Sequence, residues 1–400
     1  VDVLDRVRGC LLGGAIGDAL GAPIEFRSLR DIRRDHGKDG VTGYVTTWHG
    51  RTGQITDDTQ MTLFTVEGLL DARDVAGRAS GPGAGKSAGT PGDGFREAAV
   101  EAVRRAYLRW LDTQQFPAPP PADPPGRAGR LSREQWLYSR RAPGNACLSG
   151  LRHPFPGPSA WGRPGPVNPG SKGCGTVMRS APFGLIARPP QHPGTPGALG
   201  APGGPAGDLD RQSGDLGMQG GDLGGRGGPG PWGGFGAREA FELAAVCGQI
   251  THGHPTGYLA AGAFAAIIAH LMAGEALEPA VQRAMDLLAR YPGHEETSAA
   301  LDAAVSLAAR GAPSPEAVES LGGAWIAEEA LAIGVYCALA EPAVDRALLL
   351  SVNHSGDSDS TGSVCGNLLG ALHGAAVLPA AWLDPLEGRE TIERLAAALA

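Results

Sequence analysis

No two cysteines in this sequence stand at a C-x-x-C spacing. The six are scattered at Cys10, Cys147, Cys174, Cys247, Cys337 and Cys365. That argues against a zinc site and, in a chain of 400 residues, against a dense disulfide framework. Reduced, mostly buried thiols are expected. Positive charge is also in deficit: 34 Lys and Arg face 42 Asp and Glu, a net −8. Nonspecific nucleic-acid binding needs a basic surface and is not expected. The N-terminal end has no basic stretch leading into an apolar run with a small-residue cleavage site, so no signal peptide is expected. The composition fits a soluble cytoplasmic protein. Long hydrophobic runs are nearly missing. The exception, residues 257–273, is short for a span, rich in Ala and Gly, and contains His270. A helix apolar all round is expected to be core here, with no membrane partner.

Glycine and proline are abundant, at 63 and 33 residues. Much of both falls in three stretches, 79–94, 116–129 and 189–234, which cannot bury enough apolar surface to offset the cost of ordering. They read as flexible surface insertions, not domain linkers. Between them the hydrophobic period is helical: 4–20, 59–72, 95–111, 238–250, 257–273, 279–290, 298–310, 315–321, 326–340, 343–352, 362–374 and 389–399. Only 41–48 reads as a short strand pair. No internal repeat is evident. The fold class is a single all-α domain with long loops.

Two acidic clusters stand out. Thr56-Asp57-Asp58-Thr59 opens a helical run, and by itself it reads as a cap with acidic residues on the positive end of the helix dipole. Gly356-Asp357-Ser358-Asp359-Ser360-Thr361 precedes a small-residue helix. Its two carboxylates lie on different sides of any regular helix, and a tight loop wrapped around an ion satisfies them more easily. Together the clusters supply four carboxylates with neighbouring hydroxyls. Such a group repels itself unless cations neutralise it. All-oxygen donors suit Mg²⁺, Mn²⁺ or Ca²⁺ rather than zinc, and the charge suits two divalent ions.

Three further segments carry candidate residues. In 9–26, Gly14, Gly17 and Gly21 share one helical face, which lets another helix approach closely; Asp18 lies inside that helix. Pro23 ends it and leaves Glu25 in the following loop. No strand precedes these glycines and their spacing is not G-x-G-x-x-G, so a dinucleotide loop is rejected. The Gly-rich run Ser171-Lys172-Gly173-Cys174-Gly175-Thr176 can offer backbone N–H groups to a phosphate. Thr251-His252-Gly253-His254-Pro255 lies between two helices, where such histidines cap or contact a ligand.

Read in order, G-C-L-L-G-G-A-I-G-D-A-L-G, T-D-D-T-Q, G-T-V-M-R-S-A-P, I-T-H-G-H-P and G-D-S-D-S-T-G resemble the ADP-ribosylglycohydrolase family. The resemblance implies a compact orthogonal helical bundle spanning 1–400, with the Gly/Pro stretches outside the motifs. It implies two divalent cations, Mg²⁺ or Mn²⁺, on Thr56, Asp57, Asp58, Asp357, Asp359 and Ser360, with Ser360 standing where relatives often have Thr. Glu25, Asp58 and Asp359 stand as catalytic residues, Glu25 as general acid or base. Ser171, Lys172, Gly173, Cys174, Gly175 and Thr176 match a diphosphate loop, and His252 a substrate contact. Many relatives have Gly-Asn-Gly where this chain has Gly173-Cys174-Gly175; Lys172 beside it would add a phosphate contact or alter substrate choice. The implied activity is hydrolysis of the glycosidic bond between ADP-ribose and an acceptor. The alternatives are a non-catalytic ADP-ribose-binding module and a crystallin-like structural protein.

Overall fold

The computed structural model describes residues 1–47, 50–79, 91–121, 127–187, 232 and 235–400. Sixteen α-helices are found among the described residues. The first eight are α1 (Val3–Gly21), α2 (Leu29–His36), α3 (Asp57–Ala79), α4 (Pro91–Gln115), α5 (Asn145–Gly150), α6 (Ala181–Leu185), α7 (Ala237–Gly248) and α8 (Pro255–Met272). The rest are α9 (Leu277–Leu288), α10 (Glu295–Ala308), α11 (Pro315–Glu319), α12 (Ala327–Ala340), α13 (Val344–Val352), α14 (Ser358–His373), α15 (Ala380–Leu383) and α16 (Arg389–Leu399). No strand occurs among the described residues, and the one isolated bridge joins Gly173 to Ile326. The all-α expectation holds.

One core runs through the bundle. Helix α8 is long and apolar enough to cross a membrane by length and composition, yet 89 % of it is buried within the protein, packed on α6, α7, α9 and α12. All six cysteines are free, and all but Cys174 are buried.

The contact that places the functional residues is α1 against α14. Glycine recurs every fourth residue on both helices, at Gly9, Gly13, Gly17 and Gly21 and at Gly362, Gly366 and Gly370, so backbone meets backbone along the seam. A Cβ on Gly17 would lie 1.9 Å from the Gly362 carbonyl oxygen, and one on Gly362 would lie 2.3 Å from that of Gly17. No side chain fits. The start of α14 thereby lies beside the end of α1, which brings residues 18–25 to 357–360.

Several sequence expectations need correction. Residues 41–47 form no strand pair, and Trp48 and His49 lie outside the described residues. The backbone of Val41 is satisfied by a side chain: its N–H donates to Asn353 Oδ1 (2.8 Å) and its carbonyl accepts from Asn353 Nδ2 (2.9 Å). Helix α2 buries only Leu29 and Ile32, too few apolar residues for a periodic signal over eight positions; Ser28 caps it by accepting from the Asp31 N–H at 3.1 Å. Helices α5, α6 and α15 are too short for a periodic signal. The second acidic cluster is no loop. Asp357 is the N-cap of α14, which starts at Ser358 and holds Asp359 in its first turn, so the caps and the dipole start the helix four residues before Gly362. Of the three insertions, residues 80–90, 122–126, 188–231, 233 and 234 lie outside the described residues. At their described ends α3 runs to Ala79 and α4 begins at Pro91, Arg127 pairs with Asp112 at 2.9 Å, and buried Trp232 donates to the Leu399 carbonyl at 3.3 Å.

Candidate active site

Asp18 organises the first cluster, although it offers the cavity nothing itself. Its carboxylate is fully buried. Both oxygens accept from the Thr56 N–H (3.0 Å each), and Oδ2 also accepts from the Thr59 N–H (3.1 Å) and hydroxyl (2.5 Å). A buried carboxylate from α1 thus caps the start of α3, where the helix dipole favours negative charge. Burial, then the charge of Asp359, pushes its pKa up to about 7, against these hydrogen bonds. The sequence held a signal for this, a lone carboxylate inside an apolar helix, but no role followed from it.

From that anchored turn Asp57 and Asp58 project into a cavity of about 720 Å³, with Asp357, Asp359, Ser360 and Glu25 facing them. A cavity of this size suits one small-molecule ligand. Asp57 Oδ2 accepts from the Gly144 N–H at 3.2 Å. Asp357 accepts from the Ser360 N–H (3.2 Å) and the Cys174 thiol (2.7 Å), and Asp359 accepts from the Ser360 N–H at 3.0 Å. Asp58 Oδ1 is buried with no hydrogen-bond partner among the described residues. Oxygens of Glu25, Asp357 and Asp359 all lie within 4.8 Å of one another.

These carboxyls share an electrostatic problem. Burial, followed by the charge of Asp359, pushes Asp57, Asp58 and Asp357 well above the usual carboxylate range. Glu25, in the turn after α1, is pushed up to about 11 by burial and then by Asp359, Asp357, Asp57 and Asp18. Crowded carboxyls either share protons or hold cations. The orphaned Asp58 oxygen and the all-oxygen carboxylate and hydroxyl donors fit a hard divalent ion. Glu25, grouped with Asp357 and Asp359, joins the candidate ligands; a lone loop glutamate carries no local signal for that.

Not every expected residue reaches the cavity. Gly173, Cys174, Gly175 and His252 line it. Thr56 faces a smaller space beside it, and its hydroxyl accepts from the Asp58 N–H at 3.3 Å. Ser171 lines an adjoining groove with Arg140 and Arg152. Thr176 is fully buried, and its hydroxyl donates to the Gly257 carbonyl at 2.6 Å. The Lys172 ammonium donates to Glu296 (2.6 Å) and Glu328 (2.9 Å). It is occupied by two carboxylates and does not line the cavity. The Cys174 thiol is tied up as a donor to Asp357 at 2.7 Å, and desolvation of the sulfur with the Asp357 charge pushes its pKa well up, away from a reactive thiolate.

Residues without a local signal complete the mouth. Phe26 and Trp325 stack with centroids 5.1 Å apart and 21° between planes, and stand 68 % and 44 % exposed on the cavity rim. Trp325 is delivered by the isolated bridge, where the Cys174 N–H donates to the Trp325 carbonyl at 3.2 Å. Gly356, at φ +129°, lets the 323–325 turn pass: a Cβ there would meet the Gly323 oxygen at 2.2 Å.

Comparison with known proteins bears on the family and the fold. The chain is 24 % identical over 399 residues to an uncharacterized protein of Archaeoglobus fulgidus, covering 99 % of this chain and 96 % of that one. It is 24 % identical over 394 residues to the ADP-ribosyl-(dinitrogen reductase) glycohydrolase of Rhodospirillum rubrum, covering 96 % and 91 %. A solved ADP-ribosylglycohydrolase-related protein complex superposes with TM-score 0.54 at 21 % identity, covering 100 % of this chain and 98 % of that one, and so shares the fold. The ADP-ribosylglycohydrolase family model matches residues 1–196 and 224–400, and the chain belongs to that family.

Proposed function

We propose that this protein is a metal-dependent hydrolase that cleaves the glycosidic bond joining ADP-ribose to an acceptor. The observation that carries the reading is the set of four buried aspartates and Glu25 around one cavity, with an oxygen of Asp58 unpartnered among the described residues. Asp57, Asp58, Asp357, Asp359 and the Ser360 hydroxyl would hold two divalent ions, Mg²⁺ or Mn²⁺, with Thr56 shaping the first turn and Glu25 within reach. Bound there, such ions supply Lewis acidity and docking points for sugar hydroxyls. Glu25, facing both acidic clusters from the turn after α1, is the acid–base group. Aspartate charge favours the oxocarbenium-like transition state of glycoside cleavage.

The charge distribution suits a substrate with an anionic middle. The groove holding Ser171 is lined by Arg140 and Arg152 and by no carboxylate, and Arg140 also lines the main cavity. A diphosphate fits that side, and the Phe26–Trp325 face offers a flat apolar surface to a planar base. The test is release of free ADP-ribose from a panel of arginine, serine, nucleobase and small O-linked conjugates, with and without divalent ion. Cation-dependent release from at least one is expected. ADP-ribose binding without release from any would point to a binding module instead.

Cation binding has a consequence for stability. Without cations, Asp18, Asp57, Asp58, Asp357 and Glu25 have folded pKa values raised above unfolded values near 4. Groups raised in this way favour the fold fully below the unfolded pKa, and that contribution is lost as pH rises through the folded pKa. The window opens near pH 4, passes about 7 for Asp18 and extends toward about 11 for Glu25. The Tm of chelator-treated protein is therefore expected to fall as pH is raised across it. Saturating Mg²⁺ or Mn²⁺ should restore stability by about 2.7 kcal/mol at a hundredfold excess over Kd. A flat Tm–pH curve that added cation leaves in place counts against the metal assignment.

A further inference from the structure

Arg179 is a buried cation without a carboxylate. It is 1 % exposed, and no described carboxylate forms an ion pair with it. One terminal nitrogen lies against Cys147 Sγ (3.3 Å) and Met61 Sδ (3.4 Å), and the guanidinium carbon sits 4.5 Å over the Tyr107 ring. Sulfur and a π face are weak acceptors. The other terminal nitrogen donates to Thr251 Oγ1 at 2.6 Å. Burying a charge so thinly compensated is costly, and an apolar side chain would fill the same space without that cost.

Thr251 is fully buried, and its hydroxyl lies 2.8 Å from His252 Nδ1. The guanidinium can only donate, so it occupies a lone pair on Thr251 Oγ1 and leaves the hydroxyl proton free. That proton goes to His252 Nδ1. Were Nδ1 protonated instead, two donors would point at Oγ1 and the buried hydroxyl proton would have no acceptor. The hydrogen therefore sits on Nε2. This nitrogen faces the cavity between Gly173 and Gly175, where an added Cβ on either would lie 3.3 Å from it. It makes no hydrogen bond within the described protein. A charged ring is disfavoured as well: burial, then the neighbouring guanidinium, pushes the His252 pKa down to about 3.

We propose that Arg179 and Thr251 are positioning residues that lock His252 as a neutral Nε2–H donor aimed at an acceptor oxygen of the substrate. His252 then orients the substrate and takes no part in proton transfer. The substrate half of this rests on the hydrolase reading; the state of the ring does not. The test is ¹⁵N NMR of the imidazoles in the full chain with Mg²⁺, the His252 signal being assigned by its loss in His252→Gln. Wild type is expected to show one Nε2–H tautomer that does not titrate from about pH 5 to about pH 8. Thr251→Val, which keeps the shape, should release the ring into a tautomer mixture, and Thr251→Ser should restore the single form. ADP-ribose affinity should fall about tenfold in Thr251→Val and in His252→Gln, and no further in the double variant. A titrating ring in wild type, or a Thr251→Val ring and affinity like wild type, overturns the proposal. An inactive protein with the expected ring signature overturns the hydrolase reading and supports the positioning one.

Discussion

Asp359→Asn is expected to lower cation-dependent ADP-ribose release by at least about a thousandfold, because it removes the charge at the centre of the cluster. After burial, Asp359 is the largest influence on Glu25, Asp57, Asp58, Asp357 and Asp18 alike. No other side chain couples both clusters in this way. The loss should not come from unfolding. Asp359 Oδ1 accepts from the Ser360 N–H at 3.0 Å, and an asparagine carbonyl can accept the same bond, so the first turn of α14 survives. With one negative charge fewer, the remaining carboxyls repel each other less and attract cations less. Calorimetric titration with Mn²⁺ should show weakened binding beside an unchanged far-UV spectrum. Release within about threefold of wild type, with cation still bound, would remove Asp359 from the site.

The parts of this site that were legible in the sequence are those whose cause is local. The Gly14, Gly17 and Gly21 face announced a close helix contact because helical periodicity is set by neighbours along the chain; its partner, the glycine row of α14, could not be paired with it until the fold was known. The acidic pairs were visible for the same reason. Their setting was harder. Asp357 and Asp359 read as a loop because their spacing disfavours one helix face, whereas the N-cap position places Asp357 just outside the helix, where no face is defined. Lys172 illustrates the limit. Its partners lie 124 and 156 residues away, and no local pattern foretells that its charge is already taken. Arg179 sat inside a motif that marked the family, yet its role depends on Thr251 being 72 residues further on.

Glu25→Gln is expected to lower kcat by about a hundredfold to ten-thousandfold, the usual span for removing a general acid or base, while ADP-ribose still binds. The residue is placed for this. Its N–H donates to the Gly21 carbonyl at 3.0 Å, continuing the last turn of α1, and Phe26 next to it adopts φ +66°, which swings the phenyl ring out onto Trp325. Glutamine preserves the size of the side chain, and its carbonyl can still face the other two carboxylates. It cannot give or take a proton as the Glu25 carboxyl can. If Glu25 acts only in proton transfer, cation affinity should change little and the whole effect should fall on kcat. If it also ligates, as its 4.8 Å grouping with Asp357 and Asp359 allows, then the Mn²⁺ titration should weaken in parallel, and excess cation should recover part of the rate. Either pattern keeps Glu25 at the reaction centre. Full turnover at ordinary cation concentration would instead leave it as a wall residue, and would pass the acid–base role to the aspartates that crowd it.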